Sequence, residues 1–194
     1  MKIRLTFTES ILGTSPQNEE IYTDFIHRKA PDANTLEDEI ATLGADEVTE
    51  KGTTVFHKEN GVPFLYDYQI KGFLKSACQA MREVEGSESK KLTSYKKKID
   101  LLFFVSPRKV FFENYGDIDT CERPLRAQTM QGERVSLARS EEIPAGAQIE
   151  FELNSLRGKV DEKLFLEWMG YGAFNGIGQW RNSGKGRFKF EVLD

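Results

Sequence analysis

The chain contains few of the residues that build stapled or metal-dependent proteins. Its 194 residues include 2 cysteines, Cys78 and Cys121, and 2 histidines, His27 and His57. Two cysteines supply neither a disulfide framework nor a zinc-ligand spacing, and two histidines do not make a metal site by themselves. We therefore predict no metal and no cofactor. Cys78 is expected in the core because it lies on the apolar face of a predicted helix.

Long hydrophobic runs and familiar catalytic motifs are also missing. No stretch approaches the roughly eighteen apolar residues that a membrane span needs, and the first five residues alternate like a strand. The sequence has no G-x-x-x-x-G-K-[ST] spacing, no serine-hydrolase elbow and no dinucleotide fingerprint. These absences predict a cytoplasmic protein with no membrane partner, and they give no support to an enzyme.

Charge is distributed unevenly along the chain. The formal net charge is −4, which argues against a general nucleic-acid binder. Residues 1–62 hold 6 Lys/Arg and 12 Asp/Glu, whereas residues 71–139 hold 14 Lys/Arg and 9 Asp/Glu. Local patches steer a polyanion more than the net value does. The sequence thus predicts an acidic segment attached to a mildly basic body.

Apolar periodicity predicts one α+β domain over residues 1–194. Residues 2–8 alternate like a half-buried strand. Residues 68–82 carry apolar side chains at the i, i+3, i+4 spacing of a helix, for which Asp67 is the predicted N-cap. A second helix is predicted after Asp161, with Leu164, Phe165, Trp168 and Met169 facing inward.

Further strands are predicted in the second half of the chain. Residues 99–112 are interpreted as a strand pair joined at Pro107, and residues 114–133 as a long polar connection. Alternation predicts strands at 134–139 and 148–153 and a final strand that begins at Phe188.

Residues 9–62 are predicted to be an acidic helical insertion after the first strand. Apolar residues recur at helical spacing within 18–29 and stop at Pro31. Asn34 begins a second predicted helix that ends at Gly44.

The segment from Gly176 to Arg187 is the most informative part of the sequence. It holds four glycines in eleven positions, and no acidic residue occurs between Gly176 and Lys189. Glycines let a backbone turn through positive φ and bring N–H groups close to an anion. Trp180 adds a face on which a base can stack, and we expect it to be exposed. A turn-rich loop with a few unrelated cations is the alternative.

Two segments together resemble the RAMP superfamily, whose members build CRISPR effector complexes. Residues 67–77, DYQIKGFLKSA, are similar to the segment that opens the first helix of that family. Gly176-Ile177-Gly178 and Gly184-Lys185-Gly186-Arg187 are similar to its C-terminal glycine-rich loop, and residues 142–151 to its strand after an I-P-x-G turn. The chain departs from the pattern at Asp67 and Tyr68, where the family has small residues. The resemblance implies a ferredoxin-like fold with an antiparallel sheet and helices on one face.

The resemblance also implies a nucleic-acid surface. Lys71 and Lys75 would lie on the same side as the glycine loop. Arginines between 123 and 139 would occupy a loop or thumb directed at RNA, or would be surface partners of Glu113, Asp117, Asp119 and Glu122. The candidate nucleic-acid-binding residues are Lys71, Lys75, Arg108, Arg123, Arg126, Arg134, Gly176, Gly178, Trp180, Arg181, Gly184, Lys185, Gly186 and Arg187.

Three functions are compatible with the sequence. The first is a non-catalytic protein that binds RNA or a single strand, with CRISPR-type subunits or self-association as further partners. The second is an anti-defence protein of a phage or mobile element that acts by protein–protein contact through its acidic segment. The third is a metal-independent endoribonuclease with His27 or His57 as base, for which a non-catalytic surface histidine is the alternative.

Overall fold

The computed structural model describes residues 1–16, 53–129, 132–156, 158 and 161–193, and for 125–129 and 132–136 it describes the backbone alone. Contacts between Cα atoms divide the chain into two compact units. Unit 1 comprises Met1–Ile11, His57–Ile118 and Ile143–Asp194. Unit 2 comprises Leu12–Phe56 and Asp119–Glu142.

Twelve strands and four helices occur in the described residues. The strands are β1 (Lys2–Phe7), β2 (Ile11–Leu12), β3 (Ser15–Pro16), β4 (Thr53–Val55), β5 (His57–Glu59), β6 (Val62–Tyr66), β7 (Phe103–Ser106), β8 (Lys109–Glu113), β9 (Asp119–Thr129), β10 (Gly132–Ile143), β11 (Gln148–Ser155) and β12 (Phe188–Leu193). The helices are α1 (Asp67–Met81), α2 (Glu88–Lys91), α3 (Tyr95–Leu102) and α4 (Glu162–Asn175). None of the helices described is long and apolar enough to cross a membrane.

The sheet of unit 1 is antiparallel, with the order β12-β1-β11-β7 at its centre. β1 lies between β11 and β12, so that Leu5 is opposite both Ile149 and Phe190. β7 and β8 both pair with β11, and β6 and β5 continue the sheet from β8. Helix α1 comes between β1 and β7, and α4 between β11 and β12. This order confirms the predicted α+β, ferredoxin-like fold class.

Both long helices cover the same face of this sheet. Phe73 of α1 packs edge-on against Phe188, and Phe165 of α4 packs edge-on against Phe190. Alternate residues of a strand share one face, so Phe188 and Phe190 place both helices on that side. The predicted apolar stripe of α1 is confirmed, since Ile70, Phe73, Leu74, Ala77 and Cys78 are buried.

The two helix starts differ in how well they were predicted. Asp161 is the N-cap of α4, as predicted, and its carboxylate accepts hydrogen bonds from the backbone N–H groups of Lys163 (3.0 Å) and Leu164 (3.3 Å). The prediction that Asp67 caps α1 is wrong, because Asp67 is the first helical residue and Tyr66 is the N-cap. The Gln69 side chain accepts the Tyr66 N–H at 2.8 Å, the role that a glutamine at this position plays in a capping box.

The interpretation of residues 99–112 as a strand pair is wrong in two respects. Residues 95–102 form α3, with Ile99 fully buried. β7 and β8 do not pair with each other; they follow one another along β11, with Phe103 opposite Ser155 and Phe112 opposite Ile149. A short apolar run fits a helix turn and a strand equally well, which is why periodicity placed the boundary too early.

The interpretation of residues 114–133 as a polar connection is also wrong. In unit 2, β9 forms an antiparallel ladder with β10, from Asp119 opposite Glu142 to Thr129 opposite Gly132. β9 pairs with no other described strand, so its Pro124 occupies an edge, where a missing N–H is tolerated. β10 also pairs in parallel with β4, which pairs with β3.

The two ends of the predicted insertion, residues 9–62, form the short strands β2 to β5. Its predicted helices, within 18–29 and 34–44, lie outside the described residues. The helical insertion and the single-domain organisation therefore stay predictions.

Candidate nucleic-acid interface

The glycine loop, residues 176–187, is fixed by two close approaches of backbone. The Ile177 N–H donates to the Gly186 carbonyl at 2.9 Å, and the Gly186 N–H donates to the Ser10 carbonyl at 2.7 Å. A Cβ on Gly186 would collide with the Ile177 carbonyl, and a Cβ on Gly176 would collide with the Gly186 carbonyl. The loop therefore has one defined path, and these glycines are required by contact as well as by their positive φ.

A short turn at the tip of the loop presents Trp180. The Ser183 N–H donates to the Trp180 carbonyl at 3.0 Å, and the Gly184 N–H to the Arg181 carbonyl at 2.9 Å. Trp180 itself has a φ of 53°, a left-handed conformation that a bulky residue rarely adopts. The residue is 40% exposed, as the sequence predicted. Gly178, the remaining glycine among the candidates, also has positive φ.

Hydroxyl groups hold two of the loop cations. Arg181 Nη1 donates to Ser76 Oγ at 3.3 Å, and Lys185 Nζ donates to Ser10 Oγ at 2.6 Å. A hydroxyl orients a guanidinium without neutralising it, so Arg181 keeps its charge available to an anion. The third cation, Arg187, has a buried Nε with no hydrogen-bond partner in the described part of the chain.

The two lysines of α1 are directed at α3. Lys75 Nζ lies 2.5 Å from Asp100 Oδ1, and Lys71 Nζ donates to the Asp100 carbonyl at 2.9 Å. The glycine loop contacts the same helix at Ser76, through Arg181. That one surface includes both lysines and the loop stays a prediction.

Arg108 is the most open of the candidate cations in unit 1. Its side chain is 74% exposed and lies 3.9 Å from Asp67 Oδ1. Its guanidinium lies 5.6 Å from the centre of the Tyr66 ring. The sequence did not single out this ring, because Tyr66 precedes a helix and has no periodic partner.

The arginines of unit 2 have mixed surroundings. Arg123 is 8% exposed, and its Nη1 donates to Ser140 Oγ at 3.5 Å. Arg139 pairs with Glu122 across the ladder, with 2.6 Å between Nε and Oε1. The side chains of Arg126 and Arg134 are outside the described residues, and their backbones lie opposite Val135 and Ala127. Burial of Arg123 and pairing of Arg139 favour structural roles for these two.

The two histidines are the candidate bases of the endoribonuclease hypothesis. His27 lies outside the described residues. The His57 ring stacks on Phe64, with 5.8 Å between ring centres, and meets Tyr66 edge-on at 4.8 Å. Burial lowers the pKa of His57. Among the described residues, no group of three or more His, Cys, Asp or Glu side chains could hold a metal ion.

The helix-free face of the central sheet carries compensated charges. Glu150 on β11 accepts hydrogen bonds from Arg4 Nε at 2.8 Å, and it forms an ion pair with Lys2 Nζ at 2.8 Å. Arg4 also lies 3.6 Å from Glu191 on β12. Hydrogen bonds from Lys2 and Arg4 lower the pKa of Glu150. These cations are engaged by carboxylates, whereas Arg181 of the glycine loop is engaged by a hydroxyl.

No protein-family model matches the sequence, and no curated protein matches it. Among solved structures, the fold is similar to that of a chain in the cryo-EM structure of the type III-B Cmr-beta bound to cognate target RNA. The TM-score is 0.53 at 10% sequence identity, over 100% of this chain and 58% of that chain. A chain of a type IV-B CRISPR complex gives a TM-score of 0.44 at 13% identity, over 99% of this chain and 89% of that chain. The first similarity, with a TM-score above 0.5, shows a shared fold. At 10% sequence identity it shows the fold alone.

Proposed function

We propose that this chain is a non-catalytic protein that binds RNA or another single strand as part of a CRISPR-type complex in the cytoplasm. The observation that carries the proposal is the anchored glycine loop, which holds Trp180 exposed beside Arg181. The shared fold with a chain of the structure of Cmr-beta bound to cognate target RNA supports this choice of ligand. CRISPR-type subunits or further copies of the chain are the expected protein partners.

The loop suits a phosphate backbone for physical reasons. Its path is set by glycines, so a ligand does not need to order it on binding. Arg181 and Lys185 are held in place by Ser76 and Ser10 before a ligand arrives. An exposed indole adds stacking that tolerates any base. We therefore expect affinity for single strands with little sequence preference and a steep dependence on salt.

Charge reversal tests the proposal. The double variant Arg181→Glu with Lys185→Glu changes the local charge by four units, so single-stranded RNA binding should be lost. In weaker variants, each phosphate contact removed should flatten the salt slope by about 0.7. Loss of the two hydrogen bonds from these charged donors to hydroxyl groups should cost about 1.5 kcal/mol each. The measurements are binding titrations at two salt concentrations and a melting curve.

The matched control is Lys96→Glu with Lys97→Glu, which reverses two exposed charges on α3. This control should keep most of the affinity. Unchanged RNA affinity in the loop variant, with an unchanged melting temperature, contradicts the proposal. Loss of folding in the loop variant would instead show that the loop is structural.

An anti-defence role by protein–protein contact is the second candidate. The observation that favours it is the acidic composition of residues 1–62, with 12 Asp/Glu against 6 Lys/Arg. Native mass measurement after purification separates the two, because bound nucleic acid supports the first and a defined protein partner the second. The endoribonuclease hypothesis rests on His27 or His57 as the base, and an RNA cleavage assay without metal tests it.

A further inference from the structure

Besides Trp180, unit 1 has an aromatic surface at the junction of β6 and α1. The aromatic platform consists of His57, Phe64, Tyr66, Tyr68 and Phe111. Tyr66 is its centre, with the His57, Phe64 and Tyr68 rings 4.8, 5.0 and 5.2 Å away. The sequence does not predict this group of rings, because its members come from three strands and a helix.

The strand register explains how the platform forms. Leu65 and Val110 are opposite one another and buried in the core. Their neighbours Phe64 and Phe111 are therefore opposite one another on the other face of the sheet. Tyr66 shares that face with Phe64, since it lies two residues further along β6.

Backbone hydrogen bonds hold the corner at which the chain turns into α1. The Asp67 N–H donates to the Arg108 carbonyl at 2.9 Å, and Gln69 accepts the Tyr66 N–H. Tyr66 and Tyr68 leave this corner with their rings inclined by only 17°. The two rings therefore lie nearly parallel at a corner whose backbone is fixed by these hydrogen bonds.

The outer part of the platform is open and has a cation beside it. Tyr68 is 52% exposed and Phe111 is 37% exposed. Lys109 lies over Phe64 but is paired with Glu59 at 2.5 Å. Arg108 lies over Tyr66, is 74% exposed and is 3.9 Å from Asp67. At that distance the Asp67 carboxylate attracts the guanidinium without occupying its donors.

We propose that Tyr68 stacks with an unpaired nucleobase, while Arg108 binds the adjoining phosphate. A flat face that continues two parallel rings fits a planar ligand, and the nearby guanidinium fits the anion that a nucleotide carries. This inference rests on the proposed function and adds to it a second contact that acts through the base.

The test compares two ligands of equal charge. Oligouridylate and an abasic strand of the same length offer the same phosphates, but only the first can stack. The full chain should bind oligouridylate about tenfold more tightly. Tyr68→Ala should lower this base preference several-fold and leave the part that Trp180 contributes, whereas Tyr68→Phe should keep all of it.

Tyr95→Ala is the matched control, because Tyr95 on α3 is another tyrosine with a cation, Arg82, 5.3 Å from its ring centre. It should leave the base preference unchanged. Tyr68→Leu repeats the test with apolar volume retained, should Tyr68→Ala lower the melting temperature.

Three results would overturn the inference. The first is that both Tyr68→Ala and Tyr68→Leu bind as tightly as the wild type and keep the full base preference; the proposed function survives that result. A second is equal binding of both strands together with a protein that copurifies only with the wild type, which would make the platform a protein surface. The third is no binding of either strand, which removes the proposed function as well.

Discussion

Gly186 of the glycine loop requires both a left-handed backbone conformation and the absence of a Cβ. Gly186 has a φ of 73° and faces the Ile177 carbonyl across the space that a Cβ would occupy. Its N–H donates to the carbonyl of Ser10, which lies in the turn between β1 and β2. The residue thus couples the loop to this turn, and a change there should affect both.

Substitution of Gly186 by alanine should lower the free energy of unfolding by about 3 kcal/mol, since strain adds to a steric collision. Gly61→Ala is the control, because Gly61 has a φ of 81° and no atom within 4 Å of its ideal Cβ. It should cost about 1 kcal/mol from strain alone. Urea unfolding of both variants measures the difference, and equal losses would mean that the collision relaxes freely.

The residues of the loop were predictable to different degrees. Trp180 could be predicted as exposed because it fits no apolar stripe. Ser10 and Ser76 could not be assigned, because they are 175 and 105 residues from the cations that they bind. Tyr68 carried no signal either, since its stacking on Tyr66 depends on the angle at which β6 enters α1.

At the scale of elements, the long alternating or amphipathic segments were predicted well. Helices α1 and α4 have full apolar stripes, and β1 and β11 alternate over their length. β9 was missed because Pro124 and its charged neighbours resemble a loop, and only pairing with β10 makes it a strand. The α3–β7 boundary was missed because residues 99–103 form a short, mostly apolar run. In such a run the spacing of polar residues does not distinguish a helix from a strand.

The cross-strand ion pairs of β1, β11 and β12 predict a pH dependence of stability. The pKa of Glu150 is lowered in the folded state by hydrogen bonds from Lys2 and Arg4. The stabilisation is therefore fully present above the ordinary glutamate pKa and is lost as the pH falls through the lowered value.

Glu150→Gln should lower the free energy of unfolding on the order of 0.5–1 kcal/mol at neutral pH, a typical value for exposed ion pairs. The difference from the wild type should shrink as the pH falls through the lowered pKa of Glu150 and disappear once this carboxyl is protonated. Urea unfolding across this range is the measurement. A deficit that persists in acid would show that the carboxylate acts through packing.

At the scale of the whole molecule, a net charge of −4 coexists with a basic middle segment. The central sheet face adds little to that basic potential, because Lys2 and Arg4 are engaged by Glu150. The α+β class followed from the order of strands and helices. The division into two units did not, because it depends on the ladder that β10 forms with β9, and the sequence of β9 does not alternate.

The central claim is that the glycine loop touches a single strand, and tryptophan emission tests it directly. The chain has 2 tryptophans, of which Trp168 is fully buried and Trp180 is 40% exposed. Titration with oligouridylate should quench the emission of Trp180 with the midpoint seen by an independent binding assay. Added salt should move both midpoints together. Trp180→Phe should abolish the quenching, whereas binding without any change in emission would contradict the account.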